Sequence, residues 1–160
     1  MICVFRYPPG MRENTSLYDH DFYAWTREQA RLLREGRLCD ADIANIAEEI
    51  ESIGRGEKRE LGSRLMVLLQ HLLKWEHQPQ RHGRSWELTI ANARDDLADL
   101  LKDNPSLKPL LSEFIEASYA RAHRNAASET RLTLKRLPEH CLWRVDQVMD
   151  AAFWPCGEAL

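Results

Sequence analysis

The histidines are the first residues to test, because a metal site on a helix needs ligands that share one face. Two such ligands lie three or four residues apart. None of the six histidines has Asp, Glu, His or Cys at either offset. The ligand pairs of di-iron bundles and zinc proteases are therefore missing, and we expect no metal and no other cofactor. A metal held by residues from separate helices is the alternative left open.

Phosphate-binding loops and hydrolase nucleophiles are missing as well. Gly54-Arg55-Gly56 begins like a dinucleotide-binding loop, but no strand precedes it and the next glycine is Gly62. The chain contains neither Gly-Lys-Ser/Thr nor the nucleophile motif G-x-S-x-G. We assign no catalytic residue and lean against an enzyme, while whether the chain has any catalytic activity stays open.

Three polar side chains are candidates for a buried polar cluster that could form a cryptic pocket: Glu49, Arg64 and His71. His71 lies in an apolar stretch, where a histidine with a shifted pKa could act as a general base. The alternative is a buried histidine that hydrogen-bonds a neighbouring helix.

A turn rich in basic and aromatic residues is the best candidate for binding. We name its candidate residues the basic turn: Lys74, Trp75, Arg81, Arg84 and Trp86. Basic side chains bind the phosphates of nucleic acids, and aromatic side chains among them stack on the nucleobases. Trp and Arg are also enriched in protein interaction hot spots. The alternative is that the two tryptophans belong to the core and pack against each other beneath the turn.

The charges along the middle of the chain change sign near residue 55. Residues 40–54 hold five acids and no base, and residues 55–94 hold eight bases against four acids. This pattern predicts either an acidic face beside a basic one, suited to a charged partner, or local pairing on a solvated helix. Glu51 with Arg55, and Glu60 with Arg64, have the i,i+4 spacing that local pairing needs.

Six helices are predicted to position these residues. The first runs from Phe22 to about Glu35, with Asp19 or Asp21 as its cap and Gly36 as its stop. The second follows Asp40 and places four isoleucines on one side, which we name the isoleucine stripe: Ile43, Ile46, Ile50 and Ile53. Two glycines, Gly54 and Gly56, then either end or kink it.

The later helices are predicted from the same period. The third runs from Leu61 to Pro79 and is apolar almost all round between residues 65 and 73, as in the central helix of a bundle. Ser85 caps a fourth helix from Trp86 to about Lys102. The fifth and sixth helices complete the prediction: Ser106 caps the fifth from Leu107 to about Ala127, and a short last helix follows Pro138.

The composition fits one all-α domain. Among 160 residues with a net charge of −3, Leu (22) and Ala (16) far outnumber Val (4) and Ile (7), and alternating β-branched runs are missing. We expect a single-domain bundle of five or six helices with short antiparallel connections over residues 18–155. A loose arm (1–17) and a tail (156–160) are expected to flank it.

No targeting or spanning segment is expected. The apolar run at the N-terminus is shorter than a signal peptide needs, and the stretch from residue 65 to 73 is far shorter than the ~20 residues that span a bilayer. The four cysteines are widely spaced, which favours thiols in a reducing compartment. We therefore expect a soluble cytoplasmic protein with no membrane partner.

Several segments together resemble a bacterial family known as domain of unknown function number twenty-nine. They are residues 18–26 (YDHDFYAWT), 45–55 (NIAEEIESIGR), 71–75 (HLLKW) with Gln78-Pro79, Ser85-Trp86 and 104–107 (NPSL). The resemblance covers about Leu17 to Pro155 and implies an all-α bacterial cytoplasmic protein with no established activity. The family tends to carry a proline where this chain has Leu142, which leaves the start of the last helix open.

Our leading functional interpretation is a non-catalytic protein-interaction module. It would bind a protein partner, or a second copy, through the basic turn and the adjoining acidic helix. Self-association through Trp143, Phe153 and Trp154 is one form of this, unless these rings fold back onto the bundle. The alternative is nucleic-acid binding through the arginines of the turn, and an enzyme with a cryptic polar pocket is third.

Overall fold

A computed structural model describes residues 17–156, and these residues contain helices and no strand. The predicted all-α class is confirmed. Five α-helices have both ends described, and we number them in chain order: α1 (Phe22–Arg34), α2 (Ile43–His77), α3 (Arg84–Asp103), α4 (Leu111–Thr130) and α5 (Val145–Met149). Residues 17–20 are also helical, and three short 3-10 segments lie at Pro79–Arg81, Pro105–Leu110 and Leu134–Arg136.

The chain divides into two compact units, Met1–Arg55 and Gly56–Leu160. We call their described parts the N-terminal unit (17–55) and the C-terminal unit (56–156). The limits 18–155 for the domain stay a prediction. Nearly all of the predicted arm and tail lies outside the described residues.

In the N-terminal unit, α1 agrees with its prediction to within one residue. The Asp21 side chain caps it by accepting a hydrogen bond from the Ala24 amide at 2.9 Å, and Gly36 follows its end with a φ of 70° that favours glycine. One face of α1 buries Trp25, Gln29 and Leu32. The Gln29 Oε1 then accepts from the Asp42 amide at 2.8 Å, which ties α1 to the start of α2.

The second and third predicted helices are one helix in the structure, because α2 continues through Gly54 and Gly56. Neither glycine is needed for packing, since a Cβ at either position would meet nothing within 4 Å. Each lowers helix stability by about 1 kcal/mol relative to Ala, which the hydrogen bonds of a helix of 35 residues can absorb. Of the two alternatives that the sequence left open at these glycines, the helix end is therefore excluded.

The C-terminal unit is built around the second half of α2. Six of its leucines are at most 1% exposed, and they share one core with α3, α4 and α5: Leu61, Leu65, Leu68, Leu69, Leu72 and Leu73. The prediction of a central, buried helix is confirmed. Ile90 and Leu97 of α3 and Ile115 of α4 supply the facing side chains.

Two predicted helix starts are corrected. Gly83 is the N-cap of α3, and Ser85 lies inside the first turn, where its carbonyl accepts from the Thr89 hydroxyl at 2.9 Å. The chain after Asn104 forms the 3-10 segment Pro105–Leu110 before α4 begins at Leu111. Pro109 lacks the N–H that an α-helix would need at that point, so the α-helical pattern starts only after it.

Candidate functional site

The isoleucine stripe of α2 lies at the surface of the N-terminal unit. Ile43, Ile50 and Ile53 are 50%, 64% and 67% exposed, and Ile46 is partly buried. The Asp42 side chain fixes the start of this helix, since its two oxygens accept from the amide and the side chain of Asn45. The predicted spacing on one side is confirmed, and it produces an apolar face open to solvent.

Acidic side chains accompany this stripe. Glu48 and Glu51 are exposed, and the half-buried Glu49 accepts a hydrogen bond of 2.6 Å from the Tyr18 hydroxyl. That hydrogen bond, with the surrounding negative charge, raises the pKa of Tyr18 to about 12. Tyr18 therefore fixes one of the carboxylates beside the stripe.

Local pairing of charges on α2 is also present. Arg55 lies 3.4 Å from Glu51, and Arg64 lies 2.6 Å from Glu60, both at i,i+4 as predicted. Such exposed pairs are each worth a few tenths of a kcal/mol. They occupy Glu51 without removing the acidic character of residues 40–54, which contain no base.

Lys74 of the basic turn is a structural residue. It is 7% exposed, its Nζ lies 2.7 Å from Glu129 Oε2, and it lies over the Trp86 ring at 4.7 Å from the centroid. The hydrogen bond from Lys74 lowers the pKa of Glu129 below its usual value. Because its charge is engaged on both sides, Lys74 is placed to hold Trp86 rather than to contact a partner.

The Trp75 ring also packs against other side chains of the C-terminal unit. It stacks on His82 at 3.8 Å between centroids and contacts Trp154 at 4.5 Å, and His82 Nε2 lies 2.6 Å from the Trp75 carbonyl oxygen. The alternative prediction was that Trp75 packs on Trp86. In the structure the ring partners of Trp75 are His82 and Trp154, and Trp86 packs under Lys74. The Arg94 guanidinium also lies over the Trp154 ring, 5.8 Å from its centroid. Residues 148–154, which we name the C-terminal segment, therefore fold back onto the helices.

Arg81 and Arg84 are the accessible part of the basic turn. Both are exposed, and neither forms an ion pair with another described residue. Trp86 is half-buried beside them. The structure thus separates the basic turn into two exposed cations and a supporting group beneath them.

The three candidates for a buried polar cluster have separate partners. Glu49 binds Tyr18, Arg64 binds Glu60 and lies 3.5 Å from Asp96, and His71 Nδ1 lies 2.9 Å from the Val67 carbonyl oxygen. All three are half-buried. Burial lowers the pKa of His71, so the ring favours its neutral form.

Sequence reasoning missed the buried polar residues of the C-terminal unit. The side chains of Gln70 and Lys74 both donate to the Glu129 carboxylate, and Gln78 Nε2 donates to the Thr130 carbonyl oxygen at 2.9 Å. A signal was present, because a Lys one turn after a Gln within an apolar helix implies a partner for both.

Arg94 is the second missed residue. It is 4% exposed, and its guanidinium donates to the carbonyl oxygens of Val148, Ala151 and Phe153 at 3.0, 3.5 and 2.8 Å. Burial lowers its pKa. The burial of Arg94 could have been inferred from the sequence, because Arg94 lies on the same side of α3 as Ile90, Leu97 and Leu101.

A model of one protein family, described as domain of unknown function DUF29, matches residues 17–154. The chain belongs to the DUF29 family. No curated protein and no solved structure matches the chain. The matched DUF29 segment includes the isoleucine stripe, the basic turn and the C-terminal segment that Arg94 holds.

The last helix of this DUF29 chain, α5, begins well after Pro138. Residues 138–144 are not helical, Leu142 is 73% exposed, and α5 begins only at Val145. Arg144 starts it, with its amide donating to the Gln147 side chain at 2.9 Å. The short helix predicted after Pro138 is thus present, and it begins three residues after Leu142.

Two features of the described part of this DUF29 chain concern ligands and membranes. Within residues 17–156, no three His, Cys, Asp or Glu side chains are grouped so as to hold a metal ion. Over the same residues, every helix is too short or too polar to cross a bilayer.

Proposed function

We propose that this chain is a protein-interaction module that binds a basic amphipathic helix of a protein partner along its isoleucine stripe. The observation that carries the proposal is the exposure of Ile43, Ile50 and Ile53, each at least half accessible on one side of α2.

The spacing of the stripe matches helix-to-helix recognition. Positions 43, 46, 50 and 53 alternate steps of three and four, as in the apolar seam that two helices share in a coiled coil. Covering Ile50 or Ile53 contributes about 1–2 kcal/mol each, because each side chain is now mostly in water. A partner helix that covers the whole stripe would gain several times this amount.

The charges beside the stripe favour a partner helix of opposite, basic charge. Between Arg37 and Arg55 the chain has acids and no base, and Glu48 and Glu51 are exposed. Opposite charges steer association and suppress wrong partners. A second copy of this chain would bring acids against acids if the two stripes met directly, so a basic partner helix fits better.

The basic turn is proposed as a second surface that contacts the partner, and the residues that make this contact are Arg81 and Arg84. Their guanidinium groups offer planar forks for a carboxylate or a phosphate. Lys74 and Trp75 would act by supporting this surface, with Trp86 at its edge. We propose a cytoplasmic location in a bacterium for the module, on the resemblance and the cysteine spacing given above.

Binding to a designed peptide tests the proposal. The probe is an amphipathic peptide of about three heptads with isoleucine and leucine at the seam and lysine beside it, matched by a peptide with glutamate in place of lysine. We expect fluorescence anisotropy to show binding of the lysine peptide only. I50Q/I53Q should weaken it at least about tenfold, a loss of about 1.4 kcal/mol or more.

The matched control is L88Q/L142Q, which changes two exposed leucines of the C-terminal unit. It should leave binding unchanged, and the melting temperatures of both double variants should stay near that of the parent. Equal binding by the parent and I50Q/I53Q, or no binding of the lysine peptide, would overturn the proposal.

Nucleic-acid binding is the alternative, favoured by the exposure of Arg81 and Arg84. It predicts that a labelled single-stranded RNA binds, that R81Q/R84Q abolishes this, and that affinity falls steeply between about 50 and 200 mM salt. A pull-down from a bacterial lysate with and without nuclease gives the same contrast. Proteins that survive nuclease but are lost with I50Q/I53Q support the stripe.

A further inference from the structure

A cleft of about 1000 Å³ lies beside α4 in the C-terminal unit, and its lining shares no residue with the isoleucine stripe or the basic turn. We name it the α4 cleft. One wall is a face of α4 that runs from Glu116 through Tyr119 and His123 to Arg124, and the other is the segment 134–141. Its volume is at the upper end of the range for small-ligand sites.

The walls of the α4 cleft are fastened to each other. The Tyr119 hydroxyl donates to the Pro138 carbonyl oxygen at 2.8 Å, and His123 Nε2 lies 3.4 Å from the Leu137 carbonyl oxygen. The Leu137 side chain is 4% exposed within the core. A cleft held in this way exists before a ligand arrives, which lowers the entropic cost of binding.

These contacts also set the direction of the outer wall. Pro138 lies against Tyr119, and Leu137 lies near His123, so the segment runs antiparallel to α4. Glu139 therefore lies toward the Glu116 end and Lys135 toward the Arg124 end. Cys141 agrees with this placement, since burial mainly, and the negative charge of Glu116 in addition, raise the pKa of its thiol.

The α4 cleft is consequently acidic at one end and basic at the other. None of Glu116, Glu139, Arg124 and Lys135 forms an ion pair with another described residue, and all four are exposed. Arg124 lies eight positions after Glu116, which is about 12 Å along a helix axis. Tyr119, Ala120 and Leu134 supply apolar surface between the two ends.

We propose that the α4 cleft binds a short zwitterionic peptide of about three or four residues. Three or four extended residues span about 10–14 Å, which matches the separation of the charged ends. The peptide ammonium group faces Glu116 and Glu139, and its carboxylate faces Arg124 and Lys135. Arginine suits a carboxylate because its fork can make two parallel hydrogen bonds.

The raised pKa of Cys141 argues for binding without a covalent step. Burial keeps this thiol protonated, and its Sγ lies 3.6 Å from the Trp143 carbonyl oxygen, to which it donates. A protonated thiol directed at a carbonyl is a poor nucleophile. The cleft therefore holds its ligand by charge and shape.

Titration of the full chain with trialanine and its two blocked forms tests this proposal. N-acetylation removes the ammonium charge and C-amidation removes the carboxylate charge, so each blocked peptide loses one end. Binding is followed by changes in the nuclear magnetic resonance shifts of the protein. The unblocked peptide should bind with a millimolar or lower dissociation constant, and each blocked peptide should bind at least about tenfold more weakly.

Variants assign each end of the peptide to one end of the cleft. R124Q/K135Q should weaken trialanine to the level of the amidated peptide and leave the affinity of that peptide unchanged. E116Q/E139Q should weaken trialanine to the level of the acetylated peptide and leave the affinity of the acetylated peptide unchanged. The matched controls are Arg121→Gln and Glu113→Gln, exposed charges of α4 outside the cleft, which should change nothing.

Three results would overturn the proposal. The first is that the three peptides bind equally, and the second is that none binds at about 5 mM, well above a millimolar dissociation constant. The third is that the control variants weaken binding as much as the cleft variants. None of these results bears on the isoleucine stripe, whose test uses different residues and a different peptide.

Discussion

The two units of this chain bury their apolar side chains very differently. In the C-terminal unit twenty apolar residues form one core. In the N-terminal unit only Trp25, Leu32 and Ala41 are buried apolar residues, and seven of the ten large apolar side chains that are exposed among the described residues lie there. The C-terminal unit therefore buries most of its large apolar side chains in its own core, whereas the N-terminal unit leaves most of its large apolar side chains exposed.

The electrostatic contrast follows the same division. The N-terminal half of α2 is acidic, whereas residues 121–136 of the C-terminal unit hold five bases and one acid, Glu129, which is already paired with Lys74. The sign of the prevailing charge therefore differs between these two parts of the chain. The isoleucine stripe and the α4 cleft can be tested and changed separately.

The largest effect should come from the leucine core. Leu68→Ala should destabilise the protein by about 2–5 kcal/mol, because it leaves a cavity beside fully buried neighbours. Ile50→Ala, on the exposed stripe, should change stability by no more than about 0.5 kcal/mol. Urea unfolding measures both, and similar losses at the two positions would break the comparison between the units.

Arg94 comes next. Arg94→Ala should cost about 2–4 kcal/mol in the same measurement, since it leaves three carbonyl oxygens of the C-terminal segment without their donor. Arg121→Ala is the control, an exposed arginine one helix away. If both substitutions have the same small effect, the C-terminal segment is not held by Arg94.

Two of the three glycines of α2, Gly54 and Gly56, should give an effect of opposite sign when they are replaced. Gly54→Ala and Gly56→Ala should each stabilise the protein by about 0.5–1 kcal/mol, because a Cβ has open space there and alanine loses less entropy in a helix. Gly36→Ala serves as contrast and should destabilise, since its φ of 70° is strained for alanine. A loss of stability at Gly54 or Gly56 would show that flexibility there is required.

The smallest effect concerns pH. Burial lowers the pKa of His71 below its usual value of 6.5, Lys74 adds to the shift, and the hydrogen bond to the Val67 carbonyl oxygen and the Glu129 charge oppose it. The unfolded chain therefore takes up a proton that the folded chain resists, and stability should fall as the pH drops below about 6.5. His71→Gln should flatten this part of a thermal-unfolding profile and leave it parallel to the parent above pH 8. An unchanged slope would mean that His71 does not contribute.

Much of the fold was readable from the sequence because local rules sufficed. Asp21 and Gly36 are a cap and a stop with their own stereochemistry, and the leucines of residues 65–73 leave no polar face for solvent. The sequence left alternatives open where a local helix-breaking signal conflicts with the length of the helix. Two glycines look like a helix end, but the structure keeps the helix, because one continuous hydrogen-bond ladder outweighs two unfavourable residues.

The candidate sites were less predictable for a different reason. Lys74 looked like a surface base, and only the approach of Glu129, 55 residues later, makes it a buried support. The α4 cleft needs two segments to run antiparallel, which no local pattern of residues 116–141 shows. Long-range pairing decides the role of these side chains.

The sequence by itself determined the all-α class, the leucine-rich central helix, the isoleucine stripe and the acidic character beside it, because helix periodicity and charge order are properties of neighbouring residues. Only the tertiary structure decided that the stripe is exposed, that Arg94 and Lys74 are buried, and that the charges of Glu116 and Arg124 face one cleft. Burial and charge partnership depend on which distant segments pack together, since a side chain's environment is made by residues remote in the chain.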